Sequence, residues 1–355
     1  MRAVFFSRCN ECHLPAGSPR RDSSSFVRLV LCACGVLTGD ATPVSALELK
    51  MESVNSAEFS GKAPAAQESS PLGIRLQILL ARAHFSPGEI DGKFGENAKK
   101  AFRAFAEAQQ IVATDKLTRE AWQRLTTDDR PVLTIYKMTS KDVAGPFLAR
   151  LPRKMEDMRH LPRLDYTSAR QALVEKFHMS EELLAALNPG QQFGQAGMTI
   201  IVSDVSAAKR DSSAKPVRVE VDKERQTVEV LDASNQVLDF FPATVGSEEK
   251  PSPSGTLRVT SVDHSPTYRY NPNYHFKGVH ARSPFTIEPG PNNPVGTVWI
   301  SLSAEGYGIH GTPDPGRVSK AQSHGCVRLT NWDGERLASE VKKGMSVAFI
   351  GKSGS

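Results

Sequence analysis

The sequence predicts a multidomain α+β chain, with helical modules in its first half and a β-rich domain in its last third. Three observations carry this. The 355 residues are long enough for two or three domains of ~100–200 residues each. Apolar residues between 71 and 190 recur at helical spacing. From Pro216 the pattern changes to period two, as half-buried strands require. The net charge of +5 gives no nucleic-acid footprint.

Residues 1–46 read as a signal peptide. Arg20 and Arg21 precede a short apolar run, Leu29 to Leu37, and small residues end at Ala46. The run is about half the ~20 residues of a spanning helix. The expectation is therefore an exported protein, periplasmic or wall-associated, with no integral span after processing. Four of the five cysteines, Cys9, Cys12, Cys32 and Cys34, lie in this segment and leave Cys326 as the mature thiol. The stretch "CNECH" fits a haem-attachment pattern but stands ahead of the export signal, and we read it as chance.

Residues 47–70 read as a polar, flexible linker. Residues 71–126 follow as a three-helix unit. Leu72, Leu76, Leu79 and Leu80 mark one amphipathic face, and Ala98, Ala101, Phe102 and Phe105 mark another. Pro87-Gly88 and Asp91-Gly92 signal turns, and Thr118 is a candidate N-cap for the third helix. The series Gln77, Asp91, Gly92, Phe94, Gly95 resembles the peptidoglycan-binding domain, although Ala106 stands where that family has glutamine. Residues 132–204 resemble a small βααβ LysM domain through "LNPG" followed by "GMTIIV". There "VLTIYKM" supplies the first strand and residues 139–165 form an insertion. His178, between the two helices, reads as structural or solvent-facing. Residues 205–215 read as a second linker.

The domain from 216 to 352 opens with strands in "VRVEVD", "QTVEVLD", "QVLDFFPAT" and "GTLRVTSV", the first two a hairpin around "KER". Their alternation predicts antiparallel sheets in a sandwich-like arrangement. Residues 264–297, rich in Pro, Asn, Gly and Tyr, are long enough to suggest a lid. Tyr268, Tyr274, Asn292 and Asn293 are minor candidates within it. "TVWISL" and "YGIHG" resume strand character, "NWDGERLASEV" is a helix and "GMSVAFIG" a closing strand.

Chemistry concentrates in "IHGTPDP" and "SHGCVRLTN". A thiol attacks as thiolate, and its ordinary pKa is ~8.5. His310, sixteen residues before Cys326, could take the proton and hold a thiolate–imidazolium pair. Gly325 permits a sharp bend that aims backbone amides at an oxyanion. Arg328 offers a planar fork to a carboxylate. Two other readings stay open: His310, His324 and Cys326 are zinc-ligand types, and the thiol could be an inert buried one.

These segments, with "PSPSGTLRV" and "PGPNNPVGTVWISL", resemble the L,D-transpeptidase catalytic domain. The resemblance implies Cys326 as nucleophile and His310 as general base. It also implies His324, Gly325 and Ser323 as oxyanion and site support, and Arg328 as a substrate contact. Gly311 replaces a serine found in some members, so any role of that hydroxyl is absent. The implied activity is a cysteine acyltransferase that forms 3→3 cross-links between peptidoglycan stem peptides, without metal or cofactor. The alternatives are an L,D-carboxypeptidase or cross-link hydrolase, lipoprotein-to-wall attachment, or a non-catalytic wall-binding protein. The expected partners are donor and acceptor stems and glycan strands, met by a monomer.

Overall fold

The computed structural model describes residues 49–112, 116–210, 213–246, 251–274, 279–320 and 325–351. The signal-peptide reading of residues 1–46, and with it "CNECH", lies outside them, as do Ser323 and His324. From Leu47 onward the chain is one compact unit.

The first module holds α1 (Met51–Asn55), α2 (Pro71–Arg82), α3 (Glu96–Ala108) and α4 (Arg119–Leu125). Ser70 and Thr118 cap α2 and α4 by accepting from the backbone N–H of Gly73 and Ala121. The segment expected as a flexible linker is instead partly folded: Val54 on α1 is fully buried, because the helical core needs a cover at that edge. Gln77 accounts for the Asp-Gly turn. Its amide donates to Asp91 Oδ1 at 2.9 Å and the Lys93 carbonyl at 3.0 Å, and its Oε1 accepts from the amides of Asp91 and Gly92. Ala106 is wholly buried, so a glutamine there would have no water to meet.

The second module contains β1 (Leu133–Lys137), short α5 (Ser140–Val143) and α6 (Met155–Met158), α7 (Ala169–Lys176), α8 (Glu181–Leu187) and β2 (Thr199–Ser203). The two strands pair antiparallel, Leu133 opposite Ser203. Arg82, 1 % exposed, joins the modules. It donates to the carbonyls of Asp204, Arg130 and Pro131 and pairs with Asp204 Oδ2 at 2.8 Å. So many acceptors offset the cost of burying its charge.

The third domain is built from β3 (Arg218–Asp222), β4 (Thr227–Leu231), β5 (Val237–Pro242), β6 (Thr244–Val245), β7 (Gly255–His264), β8 (Tyr268–Tyr270), β9 (Phe285–Ile287), β10 (Val298–Leu302), β11 (Gly308–His310), β12 (Val327–Arg328), α9 (Asn331–Glu340) and β13 (Ser346–Ile350). Nine strands form one sheet in the order β5-β4-β3-β13-β7-β10-β11-β12-β6. The long β7 pairs with β13 through its first residues and with β10 through its later ones. The antiparallel expectation needs correcting: β13 runs parallel to β3, and β12 parallel to β11. A parallel neighbour requires a crossover of a dozen residues or more. The stretch between His310 and Val327 is that crossover, and Cys326 is its last residue. Buried Val298, Ile300, Ile309, Val327, Leu329 and Leu337 share the core beneath α9.

The first module and the sheet share backbone and core. Phe85 bridges to Phe240 on β5, with Ser86 N–H donating to the Phe240 carbonyl at 2.9 Å. Phe240 lies in the helical core while its neighbour Phe241 lies in the sheet core. Segment 205–215, expected as a linker, is held in part, as Ala208 N–H donates to the Arg82 carbonyl at 2.8 Å.

Residues 264–297 contain the β8–β9 hairpin, which packs on the 139–165 insertion. Leu164, Tyr270, Phe285 and Ile287 make a separate small core there. Asn292 and Asn293, 2 % and 0 % exposed, are spent on the backbone of this region. Asn292 donates to the Asp165 carbonyl and Asn293 to the Glu288 carbonyl.

Candidate active site

β10, β11 and β12 carry the site. Register sets Trp299 opposite His310, and His310 beside Arg328. Side chains alternate across a strand. Ile309 and Val327 enter the core, so His310, Arg328 and, two residues before Arg328, Cys326 share the opposite face. Arg328 lies within electrostatic reach of both Cys326 and His310. The strand pairing thus sets His310 beside Arg328, and Cys326 immediately precedes β12.

His310 is 5 % exposed. Its Nδ1 lies 2.6 Å from the Gly311 carbonyl, so Nδ1 carries the hydrogen and Nε2 keeps the lone pair. The residue that lacks a serine hydroxyl therefore holds the imidazole through its backbone. The Trp299 indole stacks on the ring, centroids 5.5 Å apart and planes 16° from parallel. Trp299 Nε1 donates to Ser301 Oγ at 2.9 Å, which fixes the indole. Gly308 makes room for it, since a Cβ there would stand 2.5 Å from the ring. Burial pushes the imidazole pKa down to about 3, with the Arg328 charge adding to the effect and the Gly311 hydrogen bond opposing it. The ring is neutral at pH 7.

Cys326 is half-buried, and its thiol donates to the Gly306 carbonyl at 3.7 Å. An imidazole whose Nε2 keeps its lone pair has the form a general base requires.

Arg328 is lowered in pKa mainly by burial, with Arg317 adding to it, while Cys326 and Asp314 act the other way. It stays a cation, as arginine does in proteins. Its Nε is buried and has no hydrogen-bond partner among the described residues. A guanidinium in that state suits an incoming anion.

Gly325 adopts φ +95°, a left-handed conformation that glycine enters without strain. Its carbonyl accepts from Ser252 Oγ at 2.8 Å, and Ser252 is 5 % exposed. A peptide unit points its C=O and N–H in opposite directions, so this clamp turns the Cys326 amide away from Ser252. The loop between the base and the nucleophile is also braced from the first module. Asn97 Nδ2 donates to the Val318 carbonyl at 3.1 Å, and Lys100 Nζ to Ser319 Oγ at 3.3 Å.

Ser252, Trp299 and Asn331 are residues the sequence reading missed. Asn331 Oδ1 would stand 2.4 Å from a Cβ on Gly311, so the glycine is required for this packing. Asn331 Nδ2 donates to Glu175 Oε2 on α7 at 2.9 Å, which ties the second module to the site. The Ser252 signal is "PSPSG", and the Trp299 signal is its position in "VWIS", out of phase with core residues Val298 and Ile300. Asn331 follows the cap residue Thr330 and gives no signal.

His178 stacks on Trp332 at 4.9 Å, and burial pushes its pKa down to about 3. Two clefts flank this stack, neither lined by Cys326, His310 or Arg328. Among the described residues no cluster of three His, Cys, Asp or Glu is arranged for a metal, and no helix is long and apolar enough to cross a membrane.

The third domain is similar to L,D-transpeptidase catalytic domains. Residues 216–349 match the family model of that description, YkuD. Three bacterial proteins bearing L,D-transpeptidase names are similar in sequence. YkuD of Bacillus licheniformis is 28 % identical over 181 residues, 50 % of this chain and 92 % of its own length. YqjB of Bacillus subtilis is 31 % identical over 119 residues, 32 % of this chain and 60 % of its own. YbiS of Escherichia coli is 31 % identical over 120 residues, 33 % and 39 %. Among solved structures, L,D-transpeptidase 3 of Mycobacterium tuberculosis aligns with TM-score 0.31 at 18 % identity over 38 % of this chain and 62 % of its own. The enzyme from Mycobacterium smegmatis aligns with TM-score 0.32 at 18 % identity over 44 % and 64 %. The chain thus spans less than two thirds of either solved protein.

Proposed function

We propose that this protein is a cysteine acyltransferase of the cell wall, an L,D-transpeptidase that forms 3→3 cross-links between peptidoglycan stems. One observation supports the reading: the β11–β12 pairing sets His310 beside Arg328, with Cys326 immediately before β12.

The donor is a tetrapeptide stem. Cys326 Sγ attacks the carbonyl at the L-centre of the third residue while its proton passes to His310 Nε2. The Cys326 amide, aimed by the Gly325–Ser252 clamp, donates to the forming oxyanion. His324 and Ser323 are assigned supporting roles by resemblance alone. Arg328 receives a stem carboxylate, which pairs its fork and removes the unmet Nε. The tetrahedral centre collapses, the C–N bond to D-alanine breaks, and the proton on His310 leaves with the amine. A thioester on Cys326 remains. The side-chain amine of a neighbouring stem attacks it, loses a proton to His310 and restores the thiol. The hairpin of 264–297, backed by the insertion, shields the thioester from water.

Residues 71–126 and 132–204 are read as peptidoglycan-binding-like and LysM-like modules that hold the enzyme on glycan strands, and residues 1–46 as its export signal. The protein acts as a periplasmic monomer without cofactor.

Incubation of the purified protein with disaccharide-tetrapeptide tests the reaction. Cross-linked dimers are expected in the mass spectrum. Tripeptides alone would mean that water resolves the thioester, and the enzyme would be a hydrolase. A carbapenem should give a single covalent adduct that Cys326→Ala abolishes. No adduct on folded protein would leave a wall-binding protein.

A further inference from the structure

The fold does not need residues 139–165 or 265–297 to complete its sheet. Both depart from their domains and meet around the small core of Leu164, Tyr270, Phe285 and Ile287. Segments of that kind usually carry function. Their charge is unusual. Residues 139–165 and 264–297 together hold nine Lys and Arg against five Asp and Glu, a net of +4 out of +5 for the entire chain. The rest of the molecule is close to neutral.

The cations are on the outside. Arg150, Arg153, Lys154, Arg159, Arg269 and Arg282 are all exposed. The acids nearby are largely engaged: Asp165 pairs with Arg163 and Asp142 with Lys176, and Glu156 Oε1 accepts from the His280 amide. Asp157 is exposed. No ion pair forms on Arg150, Arg153, Lys154, Arg269 or Arg282 among the described residues. Phe147, 37 % exposed, stands in the same insertion, with Leu148 and Leu151 half-buried beside it.

Cations without ion pairs, in the same insertions as the exposed Phe147, suit a surface that offers negative charge and hydrocarbon together. The geometry points to this two-insertion subdomain as a docking surface for an anionic lipid bilayer, with Phe147 entering the headgroup boundary. A soluble polyanion would use the arginines and leave Phe147 in water, which is why lipid is favoured. The inference is independent of the reaction proposed at Cys326.

The test uses the protein from Leu47 onward, one compact unit, sedimented with vesicles of phosphatidylglycerol or of phosphatidylcholine alone. Retention on the anionic vesicles is expected, with release in about 1 M salt, where charges are screened beyond ~3 Å. Each cation removed should weaken binding about fivefold, so Arg153→Ala with Lys154→Ala should cost roughly 25-fold. Phe147→Asp should weaken binding further, while Lys342→Glu with Lys343→Glu, exposed on the catalytic domain, should leave its specific part intact. Circular dichroism confirms that each variant is folded. Equal retention on neutral vesicles, or equal loss with the Lys342 and Lys343 reversals, overturns the assignment. So does capture by polyglutamate without retention on anionic vesicles, which would make the partner a soluble polyanion.

Discussion

Ser252→Ala removes the one side-chain hydroxyl seen to hold the Gly325 carbonyl, at 2.8 Å in a buried setting. Two effects follow and they can be separated. A buried carbonyl left unpaired costs about 1–3 kcal/mol, and each kcal/mol lowers Tm by roughly 2–4 °C in a domain of this size. The 325–326 peptide is also released to rotate, so the Cys326 amide no longer points at the oxyanion. Full loss of such a donor costs about 10²–10³ in rate. A donor that is loosened and not deleted should cost less, on the order of 10- to 100-fold, or ~1.4–2.7 kcal/mol in the barrier. The assay is the rate of carbapenem acylation, followed by mass spectrometry, beside a thermal melt. Ser254→Ala is the control: its hydroxyl accepts from Lys223 at 2.9 Å and touches no part of the site described. An acylation rate for Ser252→Ala within twofold of wild type, in folded protein, would refute the clamp.

Gly311→Ser should impair the protein about tenfold or more, because its Cβ meets Asn331 Oδ1 at 2.4 Å. Asn331→Ala should rescue part of the loss in a double-mutant cycle, and purely additive effects would count against the contact. Trp299→Ala exposes one face of His310, so its pKa should rise from about 3 and the acid limb of the acylation pH profile should move toward neutrality. Trp299→Phe should keep the limb in place. His178 has a folded pKa near 3 against 6.5, so the unfolded chain binds the extra proton between those values. Its contribution is a loss of stability as pH falls from ~6.5 toward ~3, about 1.4 kcal/mol per unit. Denaturant titrations of His178→Asn should show a flatter decline over that window, and an unchanged slope would remove His178 from the account.

Much of the local structure was legible because it is encoded locally. Thr118 announces a cap, Asp91-Gly92 a turn, and alternating valines the β3–β4 hairpin. Strand direction was not. A period of two tells which face a residue joins and nothing about which way its neighbour runs, so the parallel β11–β12 pair escaped. The types and spacing of His310, Cys326 and Arg328 stand in the sequence, but the depressed pKa of the imidazole does not, since it follows from the burial the sheet imposes, with the Arg328 charge adding to it. The basic subdomain was hidden for a different reason. Net charge averages over the chain, and two insertions more than a hundred residues apart pool their arginines only after folding.

The joint between Phe240 and Phe85 bears on how this molecule can be handled. Similarity draws a border near residue 216, but that border is no cleavage plane. An excised C-terminal piece would present Phe240 to solvent along a naked strand edge, an invitation to pair with its own copies. It would also lose the brace of Asn97 on the loop that leads to the thiol. Sluggish or aggregated behaviour of such a fragment would reflect where it was cut, not what the intact protein can do.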